Sequence, residues 1–441
     1  MFKRLKPILL GLLSLFGMTE SQGQTGPGGV GTRDGSSSLS IWLTANDLNA
    51  NENTADNPAN GTRVSTWNDY SGNNNNFTQS GNNRPTYTTT GTFNAVNFNA
   101  APGTAQFMNG TITGTFSNAS AYFVLNPVNS GNSNSLFDNP SSSLRVEQWS
   151  NTNRVGFTRY GVGDYRTGIA PPFNNDAIFS YHKNTGVNTI EVRVNNATEN
   201  LGIGSTTAGI PVDRIGRNSN GSDEASGNFY EVIFFNTSIN NAQKIIVDNY
   251  LSAKYNSIAI PTDIYTQDNA AAGNFDFDVA GIGRVDASNL HTDAQGTGVI
   301  RILNPTGLGN NEFLLWGHDN GNFQLSSTTN APDIIASRLQ RIWRVNEVNS
   351  GGTAVDVGAV DLRIDTSGLT GISTGNLRLL VDTDNDGSFA DETPISGATN
   401  LGSNVFQFAG ITALTNNVRY TFGLATTTII TNRRITIRVN K

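Results

Sequence analysis

Asp382, Asp384 and Asp386 stand at alternate positions and are followed by Gly387, the spacing in this chain that most directly suggests chemistry. Calcium takes oxygen ligands, and a calcium loop opens with acidic residues at positions 1, 3 and 5 and glycine at 6. Ser388, Asp391 and Glu392 follow and could complete an oxygen shell. The helix-flanked type of loop also needs a bidentate glutamate at position 12. Counted from Asp382 that position is Thr393, with Glu392 one place early, and the preceding LRLL alternates as a strand does. Two readings remain. Asn385-Asp386-Gly387 makes a good hairpin turn by itself. Crowded carboxylates repel, however, and a cation would relieve them. Calcium bound here would be structural and weak, with a dissociation constant of roughly 0.1 to 1 mM.

A second constellation suits sugar recognition, in which an exposed aromatic ring stacks on the ligand and polar groups read its hydroxyls. Trp67 in STWNDYSGNNNNF has Asn68, Asp69 and Tyr70 beside it and an asparagine run after it. Alternatively Trp67 plugs a core and DYSGNN is a turn. Trp42 alternates with Leu39, Ile41 and Leu43, so it either caps a sheet or meets ligand, whereas Trp316 and Trp343 sit in strong strand patterns and are expected in the core.

Catalytic patterns are absent. Retaining glycoside hydrolysis needs two carboxyl groups about 5 Å apart, which one strand can supply at close spacing. No Glu-x-Asp-x-x-Glu stretch exists. Glu191 is followed by Arg193, a Gly-containing turn separates Glu224 from Glu231, and Asp276 and Asp278 read as an edge pair beside a turn. There is no cysteine, the three histidines (His182, His291, His318) lack zinc-ligand spacing, and neither a nucleophile elbow nor a phosphate loop occurs. The chain is therefore expected to be non-enzymatic.

The elements that must position these residues are mostly short strands. With 441 residues the chain can hold two or three domains. Its 47 glycines and its Asn, Thr and Ser content suit a turn-dense β-protein. Net charge is −7, which leaves no basic face for nucleic acid. MFKRLK followed by ILLGLLSLFGM and a small-residue site reads as a signal peptide over residues 1–23, implying export. No later run approaches the ~18 apolar residues that span a bilayer. Residues 24–38 read as a flexible lead-in. Strand patterns then recur, interrupted by an amphipathic helix near 240–255 with Pro261 after it. This predicts an all-β protein: a sandwich over 39–260, a second β-sandwich over 261–425, and a basic strand-like tail, 426–441, carrying Arg433, Arg434, Arg438 and Lys441. The tail is either an attachment element or an edge strand guarded by its arginines.

Several stretches carry a resemblance. IWLTAND, VSTWNDYSGNNNNFTQ, RPTY, IGRNSNG and NFYEVIFFNTSIN resemble LamG-like (concanavalin A-like) jelly rolls of exported bacterial surface proteins. DVAGIGRVDASNL, EFLLWGHDNG, RIWRV, LLVDTDNDGSF and YTFGLA resemble the uncharacterised β-sandwich domain that commonly follows them in type IX-secreted proteins. The resemblance spans about residues 30 to 425 and implies a secreted or cell-surface protein in adhesion or carbohydrate binding, with a glycan or extracellular surface component as partner. A spacer or matrix protein without a ligand site is the alternative, and a polysaccharide-degrading enzyme a third. Jelly rolls host all three.

Overall fold

The computed structural model describes residues 24–426 apart from 100–104, 130, 132, 150–152, 220, 222 and 257. The expected signal peptide, 1–23, and the tail beyond Thr426 lie outside the described residues.

The first domain is a sandwich of two eight-stranded sheets. One, the helix-side sheet, is centred on Ala119–Pro127 and Gly227–Phe235, with Leu39–Thr44 paired to the latter. The other, the groove-side sheet, runs from Gly163–Arg166 through Gly156–Arg159, Ser142–Glu147 and Asn134–Asp138 to short strands ending at Thr66–Trp67. Period-2 alternation sorts the side chains. Leu144 and Val146 enter the core between the sheets with Phe123, Phe137 and Phe157. Arg145 and Glu147 therefore face the other way.

Helix α1, Asn241–Lys254, lies on the outer face of the helix-side sheet. A capping box starts it: Gln243 N donates to the Asn240 side chain and Asn240 N to the Gln243 side chain, both at 3.0 Å. Its stripe of Ile246, Val247, Tyr250 and Leu251 is buried on two sides. Below are Ile233 and Phe235 of the sheet, and across are Val279, Phe313, Leu315 and Val348 of the second domain, all in one apolar cluster. Ion pairs Asp248–Arg193 (2.7 Å) and Lys244–Glu191 (3.0 Å) pin the helix to the sheet. The helix thus joins the two domains rather than closing the first alone, and a boundary at 260 cuts through contacts shared by both.

The second domain is a sandwich of an eight-stranded and a five-stranded sheet. Trp316 and Trp343 are in its core with Tyr420, Phe408 and Phe422. The larger sheet contains Phe277–Asp286, Glu312–His318 and Trp343–Asn349 and turns its outer face to α1.

The expected flexible lead-in is packed into the protein over residues 26–32, which are buried. Gly28 and Gly29 have φ of +64° and +85°. A β-carbon on Gly28 would approach Ile246 of α1 to 3.0 Å, and one on Gly29 would come within 2.5 Å of the Ala294 methyl. Only glycine allows this segment to run as a strap between helix and second domain. His291 Nε2 meets Gly29 O at 2.9 Å, and Gln295 N donates to Gln24 O at 3.0 Å. Low-complexity composition suggested a linker, but small residues here serve close packing.

Candidate functional site

Four of the five tryptophans are at most 1% exposed, whereas Trp149 is 53% exposed. It follows the strand Ser142–Glu147 and continues the outward series Arg145, Glu147, Trp149. The buried amide of Gln148 fixes it: Nε2 donates to Phe157 O (2.9 Å) and Tyr165 O (2.7 Å), while Oε1 accepts from Trp149 N (2.7 Å). Gly156 leaves room for that amide, since a β-carbon there would sit 2.8 Å from Nε2. An anchored, half-exposed indole is a ready stacking surface.

Trp149 borders a cavity of about 270 Å³ lined also by Arg145, Thr158, Tyr160, Asp164 and Asp223. A second hollow of about 420 Å³ adjoins it through the shared Arg159 and Tyr160 and is lined by Ser141, Ser142, Ser205 and Thr207. Together they make a polar groove with an aromatic end.

The floor of the groove is charged and buried. Arg145 Nη1 pairs with Asp223 Oδ2 at 2.8 Å, and Arg145 Nη2 donates to the Tyr160 hydroxyl at 3.1 Å. That hydroxyl donates to Asp138 Oδ2 at 2.6 Å, and Ser219 N donates to Asp138 Oδ1 at 2.7 Å. Burial raises the Asp138 pKa against these hydrogen bonds and also raises the Tyr160 pKa, so the phenol stays protonated. Arg145 Nε and Asp223 Oδ1 have no partner among the described residues although both residues are almost fully buried. These two atoms are enclosed in the floor, while the side chains of Arg159, Tyr160, Asp164 and Thr158 line the cavity as donors and acceptors suited to a hydroxyl-rich ligand.

The sugar-binding candidates from the sequence lie elsewhere. Trp67 has no exposed surface; it packs in the core, its Nε1 donating to Thr44 O at 3.1 Å, and cannot stack on a ligand. Asp69 is buried as a turn organiser, its carboxylate accepting from Trp42 N (2.9 Å), Ser71 Oγ (2.7 Å) and Asn75 N (2.8 Å). Asn68 donates to Asn49 O at 2.9 Å. Trp42 is 1% exposed, and Leu39 joins it on the helix side because a bulge between Leu39 and Ile41 breaks the alternation that placed them on opposite faces. Trp42 and Tyr70 nonetheless reach one wall of a separate cleft between the domains.

The acidic loop is less simple than a hairpin. Strand Leu377–Asp382 pairs with Arg419–Ala425, touches Ile395 through a bridge at Leu379, and the chain then crosses to the other sheet at Thr399–Gly402. Asp382 is fully buried. Its Oδ2 lies 3.0 Å from Arg419 Nη2 and accepts from Gly387 N at 3.0 Å, and its Oδ1 accepts from Asp386 N at 3.1 Å. Burial raises its pKa, and Arg419 opposes that. Glu392 accepts from Thr383 N at 2.5 Å, and Ser388 Oγ donates to Asn330 Oδ1 at 3.1 Å. Two acidic sets have oxygens within 4.8 Å of one another: Asp382, Asp384 and Glu392, and Asp384, Asp386 and Asp391. These oxygens could hold a hard cation, but Arg419 already supplies positive charge to Asp382.

No curated protein matches the chain. Among solved structures, it is similar to domain 4 of AbnA, an extracellular GH43 arabinanase from Geobacillus stearothermophilus, in complex with arabinotriose (13% identity, 48% of this chain and 97% of that one, TM-score 0.33). It is also similar to the SAP-like pentraxin of Limulus polyphemus (12% identity, 33% and 76%, TM-score 0.27). A third likeness is to the CBM40 of Ruminococcus gnavus IT-sialidase, bound to α2,3-sialyllactose (9% identity, 43% and 95%, TM-score 0.25). Residues 243–418, from within α1 through most of the second domain, match a family described as a domain of unknown function (DUF8202).

Proposed function

We propose that the protein binds carbohydrate without catalysis, through the groove of its first domain, as an exported surface or secreted protein. The observation that carries the reading is the half-exposed Trp149 at the edge of a polar cavity lined by Thr158, Arg159, Tyr160 and Asp164. A pyranose offers an apolar face to an indole and hydroxyls to a donor and an acceptor, which is what this groove supplies. The carboxylates are engaged as acceptors: Asp223 by Arg145, Asp138 by Tyr160 and Ser219, and Asp164 by the Thr158 hydroxyl at 2.7 Å. This favours binding over hydrolysis. The leader-like residues 1–23 support export.

A glycan array probed with the chain from residue 24 onward tests the reading. Binding that disappears in Trp149→Ala is expected. Binding that survives this substitution places the site elsewhere, and an array with no ligand favours the spacer role. Reducing-sugar release from a polysaccharide would replace binding by hydrolysis.

A further inference from the structure

A cleft between the domains, about 410 Å³ in volume, is also bordered by aromatic rings. One wall comes from the first domain. Tyr70 meets Trp42 edge-on at 5.2 Å, and Trp42 meets Tyr250 of α1 edge-on at 6.5 Å. Facing them is Phe277 of the second domain, 44% exposed. It owes its position to a bulge in its strand: pairing jumps from Phe277–His318 to Ala280–Trp316, and Asp278 takes a left-handed φ of +50°. His318 Nε2 holds that aspartate at 2.8 Å, Thr297 Oγ1 also donates to it, and the His318 ring stacks on Phe277.

The charges do not balance. Asp47, Glu52, Asp276 and Asp278 line the cleft against Arg33 and Lys254. Both cations are already matched, Arg33 with Glu52 at 2.6 Å and Lys254 with buried Glu231 at 2.7 Å. Asp47, Asp276 and Asp278 have no lysine or arginine within ion-pair distance among the described residues. Asp276 Oδ1 is buried and without a hydrogen-bond partner. Burial pushes the Tyr70 hydroxyl up to about 12, with Arg33 opposing and Glu52, Asp47 and Asp278 adding to the rise.

We propose that this cleft binds an organic cation, an alkylammonium or quaternary ammonium head, against the Phe277 ring and the carboxylates of Asp276 and Asp278. An exposed aromatic ring beside carboxylates that have no lysine or arginine partner attracts a poorly hydrated cation through its quadrupole and by Coulomb attraction. The site is independent of the groove and of its carbohydrate reading.

Titration calorimetry of the chain from residue 24 onward with choline, and with its uncharged carbon isostere 3,3-dimethylbutan-1-ol, tests the proposal. Choline binds, and the neutral isostere binds about tenfold or more weakly. Phe277→Ala and Asp276→Asn each weaken choline several-fold, whereas Trp149→Ala leaves it unchanged. The proposal is overturned if choline does not bind, if the isostere binds equally well, or if both cleft variants bind choline as the parent does. The comparison of choline with its isostere needs no variant and stands even where a substitution impairs folding.

Discussion

The acidic loop at 382–392 and the groove floor at 138–223 are both polar clusters, yet they differ in how their groups are satisfied. In the loop, backbone N–H groups within a few residues answer the carboxylates, Arg419 of the paired strand reaches Asp382, and Asp384, Asp386 and Asp391 are exposed. In the groove, charges from distant segments meet inside the protein, and two buried atoms there, Arg145 Nε and Asp223 Oδ1, find no hydrogen-bond partner among the described residues. A conspicuous sequence pattern can be locally self-sufficient, while a site with open valence can be assembled from residues that show no pattern at all.

The sharpest test of this contrast is Arg145→Ala. It leaves Asp223 buried and unpaired, and the expected loss of stability is about 3 to 5 kcal/mol. Asp384→Asn in the exposed loop should stay within about 0.5 kcal/mol. Urea unfolding of both variants measures the difference, and equal losses would erase the distinction. Combining Arg145→Met with Asp223→Leu should restore much of the loss if desolvation is its cause.

Buried carboxylates elsewhere extend the comparison to pH. Asp268 is raised to about 7, chiefly by burial and then by Asp263, and Glu347 is raised to about 7 by burial. A carboxyl whose folded-state pKa lies above its unfolded value binds its proton more tightly when folded. Its contribution is complete below about pH 4 and is lost as pH rises through about 7. The melting temperature should therefore fall between pH 5 and pH 8, and Asp268→Asn with Glu347→Gln should flatten the slope. A flat profile for the parent protein contradicts this.

Smaller effects belong to ligands. Trp149→Ala should cost about 2 kcal/mol of glycan affinity, roughly thirtyfold, with no change in melting. A matching loss of stability would make Trp149 a packing residue instead. Calcium is a ligand effect of similar size. With a dissociation constant of roughly 0.1 to 1 mM, 10 mM calcium adds about 1.4 to 2.7 kcal/mol. Calorimetry with calcium and with chelator checks it. Identical melting in both would leave Arg419 as the loop's only counter-charge.

The strands and the helix were legible in the sequence because alternation and capping are local. The all-β sandwich class, the core positions of Trp316 and Trp343 and the helix before Pro261 follow from such patterns. Trp149 was overlooked although LRVEQWS contains its signal: Leu144 and Val146 point inward, so Arg145, Glu147 and Trp149 must share the outer face. Asp223 could not be paired with Arg145 in advance, since nothing local links positions 78 residues apart. Trp42 lies opposite Ile41 and Leu43 as the alternation implies, and α1 covers it there; the bulge brings Leu39 to the same side. The lead-in misled because glycine marks both mobile linkers and tight contacts.

That strap also orders events during synthesis. Gly29 finds its partner His291 across 262 residues of chain. A ribosome making the protein releases residues 24–31 early, but the part of their seat formed by His291, Ala294 and Gln295 does not exist until the second domain has emerged. The first sandwich can close beforehand, leaving its amino-terminal segment unsettled and α1 half uncovered. Docking of the second domain then buries both at once, so the last stretch to be made completes the place of the first.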